Sequence, residues 1–448
     1  MNTVFAGASV IDITSPVGVE MGGYGARKGV ATGIHDNLNV RTLVLDDGAT
    51  KMVIAICDFV GVGPKIVEAA REAIAREIGI PAECVCIAAT HTHSGPLTVR
   101  TADGLDYSTV TAAKIAGSVR VALSNMQEVS LKVGQAEIST ISQNRRDPEG
   151  PQETVLKVLL AAAAGGAEPV ATVMNYACHA TVLEHDNLLY SADFPGVAAA
   201  LVEHAVGGKA IYMQGTCGDI NPAWMRHDFA EIRRIGGIVG AAAVRTAHEL
   251  RPLGETQSCI NLSWTEEVPV EPAPGTLVTD ISLGCARTFL ELPRKRLPAV
   301  DIIEAEMAEI EAKMAALAPD DLAGRRTLRP RFNQLRMDRV TSQRFPNTEG
   351  MTQRVEVQAF RISPQLAIVM LPGEFFVETG RSIASRSPFE HTFVSAYAND
   401  YAGYFATAEQ FPCGGYEVGS SRFEPESEGR IQDAAVQLLT SLSKGGVS

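Results

Sequence analysis

Cys84-Val85-Cys86-Ile87-Ala88-Ala89-Thr90-His91-Thr92-His93-Ser94-Gly95-Pro96 is an apolar run that ends in two histidines and a Gly-Pro break. Cys84 to Ile87 reads as a buried strand, so the histidines sit where that strand leaves the interior. In open α/β sheets ligands collect at this end of a strand. If the chain is still extended there, alternation sends His91 and His93 to the same face, and both can serve one site. The alternative is one satisfied core histidine and one surface histidine.

Upstream, Met52 to Cys57 is a near-continuous apolar run of the kind buried on both faces, and Pro64 to Ile78 has helical spacing. Strand, helix and strand in that order predict a parallel βαβ unit. Nearer the N-terminus, Ala8 to Thr14 alternates as a half-buried strand does. Met21-Gly22-Gly23-Tyr24-Gly25 follows, with no Walker lysine and no strand–helix context for a phosphate cradle. Close backbone packing beside a pocket suits those glycines better.

Downstream the pattern recurs. Pro169 to Ala177 ends in Cys178-His179, and a helix follows from about Val197 to Ala205. Lys209 to Met213 delivers Gln214 to Pro222, before a long helix from Phe229 to Leu250. Leu366 to Leu371 ends in Pro372-Gly373-Glu374, with a helix to about Ser385. Thr392 to Tyr397 leads into Asn399-Asp400-Tyr401-Ala402-Gly403-Tyr404. The fold class expected is α/β: a mixed, largely parallel buried sheet or sheets with flanking helices, plus a helical hairpin insertion. Residues 1–265 and 350–448 would form the catalytic core and 266–349 the insertion. Within the latter, Ile303, Met307, Ile310, Met314 and Leu317 form a heptad-like seam, and Arg325 to Arg344 is arginine-rich. The hairpin can be a lid, a contact in a homo-oligomer, or plain solvated packing, of which packing is favoured.

Across 448 residues, 46% hydrophobic and 20% charged content is ordinary for a globular protein with ample core. A net charge of −13 argues against general binding of nucleic acid or of anionic membranes. The apolar run Val158 to Ala167 is too short to span a bilayer and ends in Gly-Gly, so no stable membrane association is expected. The first eight residues lack a basic start and an apolar stretch. The eight cysteines are scattered, with no CxxC, as small buried hydrophobes in a reducing compartment. The expected location is the cytoplasm.

His91, His179, Glu374 and Tyr404 each lie at or just beyond the C-terminal end of an apolar strand. If those strands are neighbours in one sheet, the four residues meet at one edge. Two imidazoles and a carboxylate are a common catalytic zinc set with a position left for water. A phenolate is a rarer ligand, and spacing alone does not nominate Tyr404. A structural metal, or none, stays open on these residues. Asp58, Asp193 and Asp219 also sit at strand ends, as caps or as partners that orient a histidine. His35 reads the same way. Ser94 lacks a G-x-S-x-G elbow, Cys217 reads as packing, and Tyr401 as a pocket wall.

The motifs in this order resemble the neutral (non-lysosomal) ceramidase family, specifically its N-terminal catalytic domain. The matching stretches are Ile11-Asp12-Ile13-Thr14, Met21-Gly22-Gly23-Tyr24, Gly33-Ile34-His35, Thr90 to Pro96, Gln143-Asn144-Arg145 and Asn175 to His179. They continue with Ser191 to Gly196, Gln214-Gly215 with Gly218-Asp219, Pro372-Gly373-Glu374-Phe375 and Asn399 to Tyr404. The resemblance implies one Zn2+ per chain, bound by His91, His179, Glu374 and Tyr404. It places His93 beside the metal as oxyanion partner or proton donor, Tyr416 as an oxyanion donor, and Arg145 facing the substrate. The implied reaction is attack of zinc-bound water on an amide carbonyl. Ceramidases of this family carry a secretion signal, a C-terminal immunoglobulin-like domain and a longer segment after the Gly-Asp-x-x-Pro motif. Here Trp224 to Asp228 passes almost directly into a helix. The expectation is therefore a cytoplasmic zinc amidohydrolase for a small soluble amide. The rivals are an esterase, lactonase or carbamate hydrolase on the same site, and a metal-containing binding protein without turnover.

Overall fold

The computed structural model describes residues 3–99, 107–164, 168–251, 256–260, 265–269, 275–318, 320–344 and 350–445. The Gly-Gly end of the Val158–Ala167 run lies outside them. The first half of the chain supplies β1 (Val4–Asp12), β2 (Asn39–Asp46), β3 (Lys51–Cys57), α1 (Pro64–Ile78), β4 (Val85–Ala89) and α2 (Ser108–Ser124). It continues with β5 (Gln127–Glu137), β6 (Val155–Ala163), β7 (Pro169–Tyr176), α3 (Asp193–Val206), β8 (Lys209–Gln214) and α4 (Phe229–Leu250). The strands form one sheet in the order β8-β7-β6-β5-β1-β2-β3-β4, and β9 (Thr276–Val278) pairs with β5.

A second sheet contains β10 (Gly284–Pro293), β11 (Thr352–Arg361), β12 (Leu366–Met370) and β14 (His391–Ser395). Between β10 and β11 the chain makes α5 (Val300–Ala315) and α6 (Leu322–Arg344). After β12 come β13 (Glu374–Phe375) and α7 (Val377–Arg386). Then β15 (Tyr404–Phe405), α8 (Tyr416–Ser420) and α9 (Ser427–Ser443) close the chain.

The mixed α/β class holds, with a different balance between the pairings. Only β3–β4 and β7–β8 are parallel in the large sheet, and β12–β14 in the second. Apolar runs buried on both faces suggested parallel strands. Here the second covering layer is often another sheet rather than helices. Phe360, Ile368 and Phe393 face the core shared with the large sheet. Their strand neighbours Val357, Val369 and Val394 face Ile383 of α7 and Leu439 of α9. On the other side, Val158, Met174 and Tyr212 pack with Ala198, Val202, Ile235 and Val239 of α3 and α4.

The hairpin is narrower than the span 266–349. β10 pairs along its length with β11 and belongs to the core, so α5 and α6 are what project. Their seam is self-sufficient: Ile303, Met307 and Ile310 bury against Leu335, with Leu328 and Phe332 alongside. An αα-hairpin with its own small core can leave a sheet between two paired strands without disturbing their register.

The parallel pairs are the consequential ones. Strands joined through a helix point the same way, so their C-terminal ends lie together. His91, His179 and Glu374 emerge from the ends of β4, β7 and β12.

Candidate metal centre

The histidines do not meet by strand alternation. β4 ends at Ala89, and His91 adopts a left-handed backbone with φ 65°. That reversal turns its ring inward, and it is kept because the surrounding chain over-determines it. Gln214 clasps both histidine loops: its side-chain N–H group donates to Thr90 O (3.1 Å) and Cys178 O (2.8 Å), while its oxygen accepts Cys178 N–H (3.1 Å). His93 N–H donates to Ala180 O at 3.1 Å, which stitches the two loops directly. Asn399, another left-handed residue, binds Ile87 on both its backbone groups and so ties the second sheet to the end of β4.

Glu374 reaches the same point from the second sheet and is paired across the ladder with Tyr404 of β15. A Cβ at Gly373 would lie 2.5 Å from Gly403 O, so that approach needs glycine. The residues anticipated as converging on one sheet edge thus come from two sheets whose strand ends abut.

His91 Nε2 and His179 Nε2 lie 3.3 and 3.2 Å from the same oxygen, Glu374 Oε2. His93 Nε2 is 3.2 Å from His91 Nε2. Behind the rings, His91 Nδ1 faces Val60 O at 2.6 Å and His179 Nδ1 faces Ile220 O at 3.1 Å. A carbonyl only accepts, so each Nδ1 carries a proton and each Nε2 is the nitrogen turned to the centre, an acceptor when the ring is neutral. Burial, aided by the Arg145 charge, lowers His179 to about 4, so it is neutral at pH 7. Burial also pushes Glu374 upward, but the imidazoles of His91 and His179 outweigh it and hold the carboxyl well below its usual range. A buried carboxylate and imidazole lone pairs aimed at one point cost several kcal/mol unless a positive charge sits among them. A divalent cation fits that donor set. The nitrogens of His91, His93 and His179 all lie within 4.8 Å of one another.

His93 differs from the other two. Its Nδ1 is buried without a partner, and no carbonyl fixes its tautomer. The glycine loop packs on it as anticipated: a Cβ at Gly23 would lie 2.6 Å from the His93 ring. Tyr24 stands edge-on at 4.7 Å, and Arg27 donates to His93 O at 2.7 Å.

The tyrosines form the remaining wall. Tyr401 donates its hydroxyl to Glu374 Oε1, so it contacts the carboxylate directly. Burial and the Glu374 charge hold the phenol well above its usual pKa, which keeps it a donor. Tyr401→Phe should therefore free the carboxylate to rotate and weaken metal binding by ~10-fold or more; competition titration with a metal chelator reads this. Tyr404 accepts from Arg145 at 3.0 Å, and Tyr416 meets Tyr404 edge-on at 5.6 Å. Arg145 is pinned by Glu417 (2.7 Å) and Asn221 (3.2 Å).

Tyr397 is a residue that spacing could not single out. It stacks on His91 with centroids 3.9 Å apart, and its hydroxyl meets Cys217 Sγ at 3.1 Å. The strand-end aspartates are structural. Asp58 accepts Asn39 N–H, Asp193 accepts Val182 and Phe194 N–H, and Asp219 holds Asn144 and the Val377 N–H. His35 stacks on Phe229 and pairs with Asp36. Ser94 accepts from Asn187.

Two abutting sheets that aim a buried His/His/Glu cluster at one point define a metal-dependent hydrolase architecture. Residues 5–226 match the family described as neutral/alkaline non-lysosomal ceramidase, N-terminal. The chain is 24% identical over 495 residues to the neutral ceramidase of Pseudomonas aeruginosa, covering 97% of this chain and 72% of that one. The crystal structure of neutral ceramidase from Pseudomonas aeruginosa superposes with a TM-score of 0.72 at 21% identity, over 100% of this chain and 76% of the other. A structure described as ceramidase complexed with C2 matches equally well, with a TM-score of 0.72. Residues 5–226 thus carry the N-terminal domain of the neutral/alkaline non-lysosomal ceramidases, and the protein is a hydrolase of a linear amide C–N bond.

Proposed function

We propose that the protein is a zinc-dependent amidohydrolase that cleaves the N-acyl bond of a small soluble amide. In this reading His91, His179 and Glu374 hold the ion, and Tyr404 completes the set. The observation that carries it is the convergence of two carbonyl-oriented imidazoles on one oxygen of Glu374. A divalent cation there would polarise the scissile carbonyl and lower the pKa of a water to about 7.

The chain's own groups supply the rest. His93 has one nitrogen toward the centre and one without a partner, so it can take a proton and pass it to the departing amine nitrogen. The Tyr416 side chain is partly exposed, and desolvation of its inward-facing hydroxyl together with the Glu374 charge raises the phenol above its ordinary pKa, so it stays protonated. It can then donate to the carbonyl oxygen as negative charge grows there. Arg145, held by Glu417 and Asn221, keeps a positive charge beside Tyr404 and orients the substrate without moving during the reaction. The buried unpaired thiols, Cys57, Cys86, Cys178 and Cys217 among them, suit the cytoplasm.

Elemental analysis of protein purified without added metal, repeated after chelation, tests the reading. Near one zinc per chain is expected, with hydrolysis of short N-acyl amines lost on chelation and regained with zinc. No metal at any stage, or activity indifferent to chelation, would leave the fold without this chemistry. Arg145→Ala should raise KM by about tenfold, as loss of a charged contact does, at unchanged zinc content.

A further inference from the structure

A cleft of about 840 Å³ opens between the helical hairpin and the core. Arg145 and Tyr416, which both touch Tyr404, line it on the core side. Arg326, Arg329, Pro330 and Asn333 of α6 form its outer wall. No Leu, Ile, Val or Met is among the described residues that line it; its apolar surface comes from groups such as Phe376, Pro151, Pro330 and Tyr416, and its charged groups are arginines and carboxylates.

Most of the charges in the cleft are already engaged. Glu417 takes Arg145 on one oxygen and Arg146 on the other. Arg146 also binds Gln410 and Gly414 O. Asp219 is occupied by Asn144 and the Val377 N–H, and Asp147 by the Glu149 N–H of its own turn. Glu378 sits in the first turn of α7, where the helix dipole offsets its charge.

Arg326 and Arg329 are different. They are exposed and, three residues apart, share a helix face. Among the described residues neither has a carboxylate within ion-pair distance, whereas Arg331 and Arg339 of the same helix pair with Glu306 and Glu304. The wall that carries them is anchored. Gly415 N–H donates to Pro330 O at 3.2 Å, and a Cβ at Gly419 would lie 2.8 Å from Gln334 O. Lys295 joins Asp338 of α6 (2.8 Å) to Val418 O of α8 (2.9 Å). These contacts fix the stretch of α6 that carries the two arginines beside the cleft that Tyr416 also lines.

We infer that Arg326 and Arg329 bind an anionic group on the substrate, so that the preferred substrates are N-acyl amides carrying a carboxylate, sulfonate or phosphate. This rests on the amidohydrolase reading and narrows it. A planar guanidinium fork matches each of those anions, and a pair of them on one helix face can share one.

The test uses the full-length zinc-loaded protein with N-hexanoyl-glycine, N-hexanoyl-taurine, N-hexanoyl-O-phosphoethanolamine and the neutral N-hexanoyl-ethanolamine. At low salt, kcat/KM for at least one anionic substrate should exceed that for the neutral one by about tenfold or more, and the winner names the anion. In the Arg326→Ala/Arg329→Ala double variant this ratio should fall toward one, through KM. Arg329→Glu should invert it. A ratio unchanged in both variants, or a preference for the neutral amide in the parent protein, would overturn the inference. Calorimetric binding of N-hexanoyl-glycine to the metal-depleted protein separates the two readings. Arginine-dependent binding without hydrolysis of any probe would sustain this site and sink the amidohydrolase. Hydrolysis without arginine-dependent discrimination would sink this site alone.

Discussion

Glu374→Gln is expected to abolish stable metal binding and hydrolysis while leaving the fold intact. The amide has the shape of the carboxylate, and Tyr401 can still hold one end of it. The amide NH2 then turns to the Tyr401 oxygen, and the amide oxygen takes the place of Oε2 between His91 and His179. What is lost is the negative charge, and with it most of the attraction for a dication at a site whose other donors are neutral. A fall of ~10³-fold in metal affinity corresponds to about 4 kcal/mol, a modest share for the removal of one full charge from a buried site. The apoprotein should respond in the same sense, but less. Without metal, the imidazoles of His91 and His179 still hold the Glu374 carboxyl well below its usual range, so the ionised group contributes stability at neutral pH that a neutral amide does not. Thermal unfolding of chelated protein should therefore show the glutamine variant somewhat less stable than the parent. With zinc present the gap should widen, because only the parent gains binding free energy. Equal zinc affinity in the two proteins would remove Glu374 from the ligand set.

The elements around this centre were legible because burial writes itself into apolar runs. Pro64–Ile78 and Phe229–Leu250 are helices over the residues their spacing indicates, and each strand expected to deliver a site residue exists. What periodicity cannot encode is how strand ends abut. Glu374 and Tyr404 belong to a ladder only two residues long, joined to the large sheet through Asn399 and the Ala88–Ala398 bridge. No alternation pattern announces a contact between sheets. The left-handed turn at His91 is equally silent, because histidine is not a residue that advertises positive φ as glycine does. Tyr397 and Arg27 went unseen for a related reason. Each touches a site residue from a distant part of the chain, and nothing in its local sequence marks the partner. Resemblance to a family nominates ligands across that gap, since motif order carries three-dimensional information that spacing lacks. It does not reach the side chains that hold them in place, which had to be read from the packing.

Gly23→Ala is the sharpest test of one such packing contact, and it should cost ~10²-fold in kcat at unchanged zinc content. Gly23 has φ 96°, and an added Cβ would stand 2.6 to 2.8 Å from the ring, Cβ and Cα of His93. The ring has little room to yield. Arg27 holds the His93 carbonyl, Tyr24 closes one side at 4.7 Å, and His91 lies on the other. Displacing a proton-transferring group by about 1 Å is enough for a loss of that size, whereas His91, His179 and Glu374 would keep their positions and their ion. Strain and clash can be told apart. Gly18 also has positive φ, 91°, but nothing lies within 4 Å of its added Cβ. Both substitutions carry the left-handed penalty of roughly 1–2 kcal/mol, so both should lower thermal stability, yet only the change at Gly23 should slow turnover. Equal kcat in the two variants would mean that His93 is not the group that moves the proton. A loss of zinc in the Gly23 variant would mean that His93 belongs among the ligands, alongside the two histidines it adjoins.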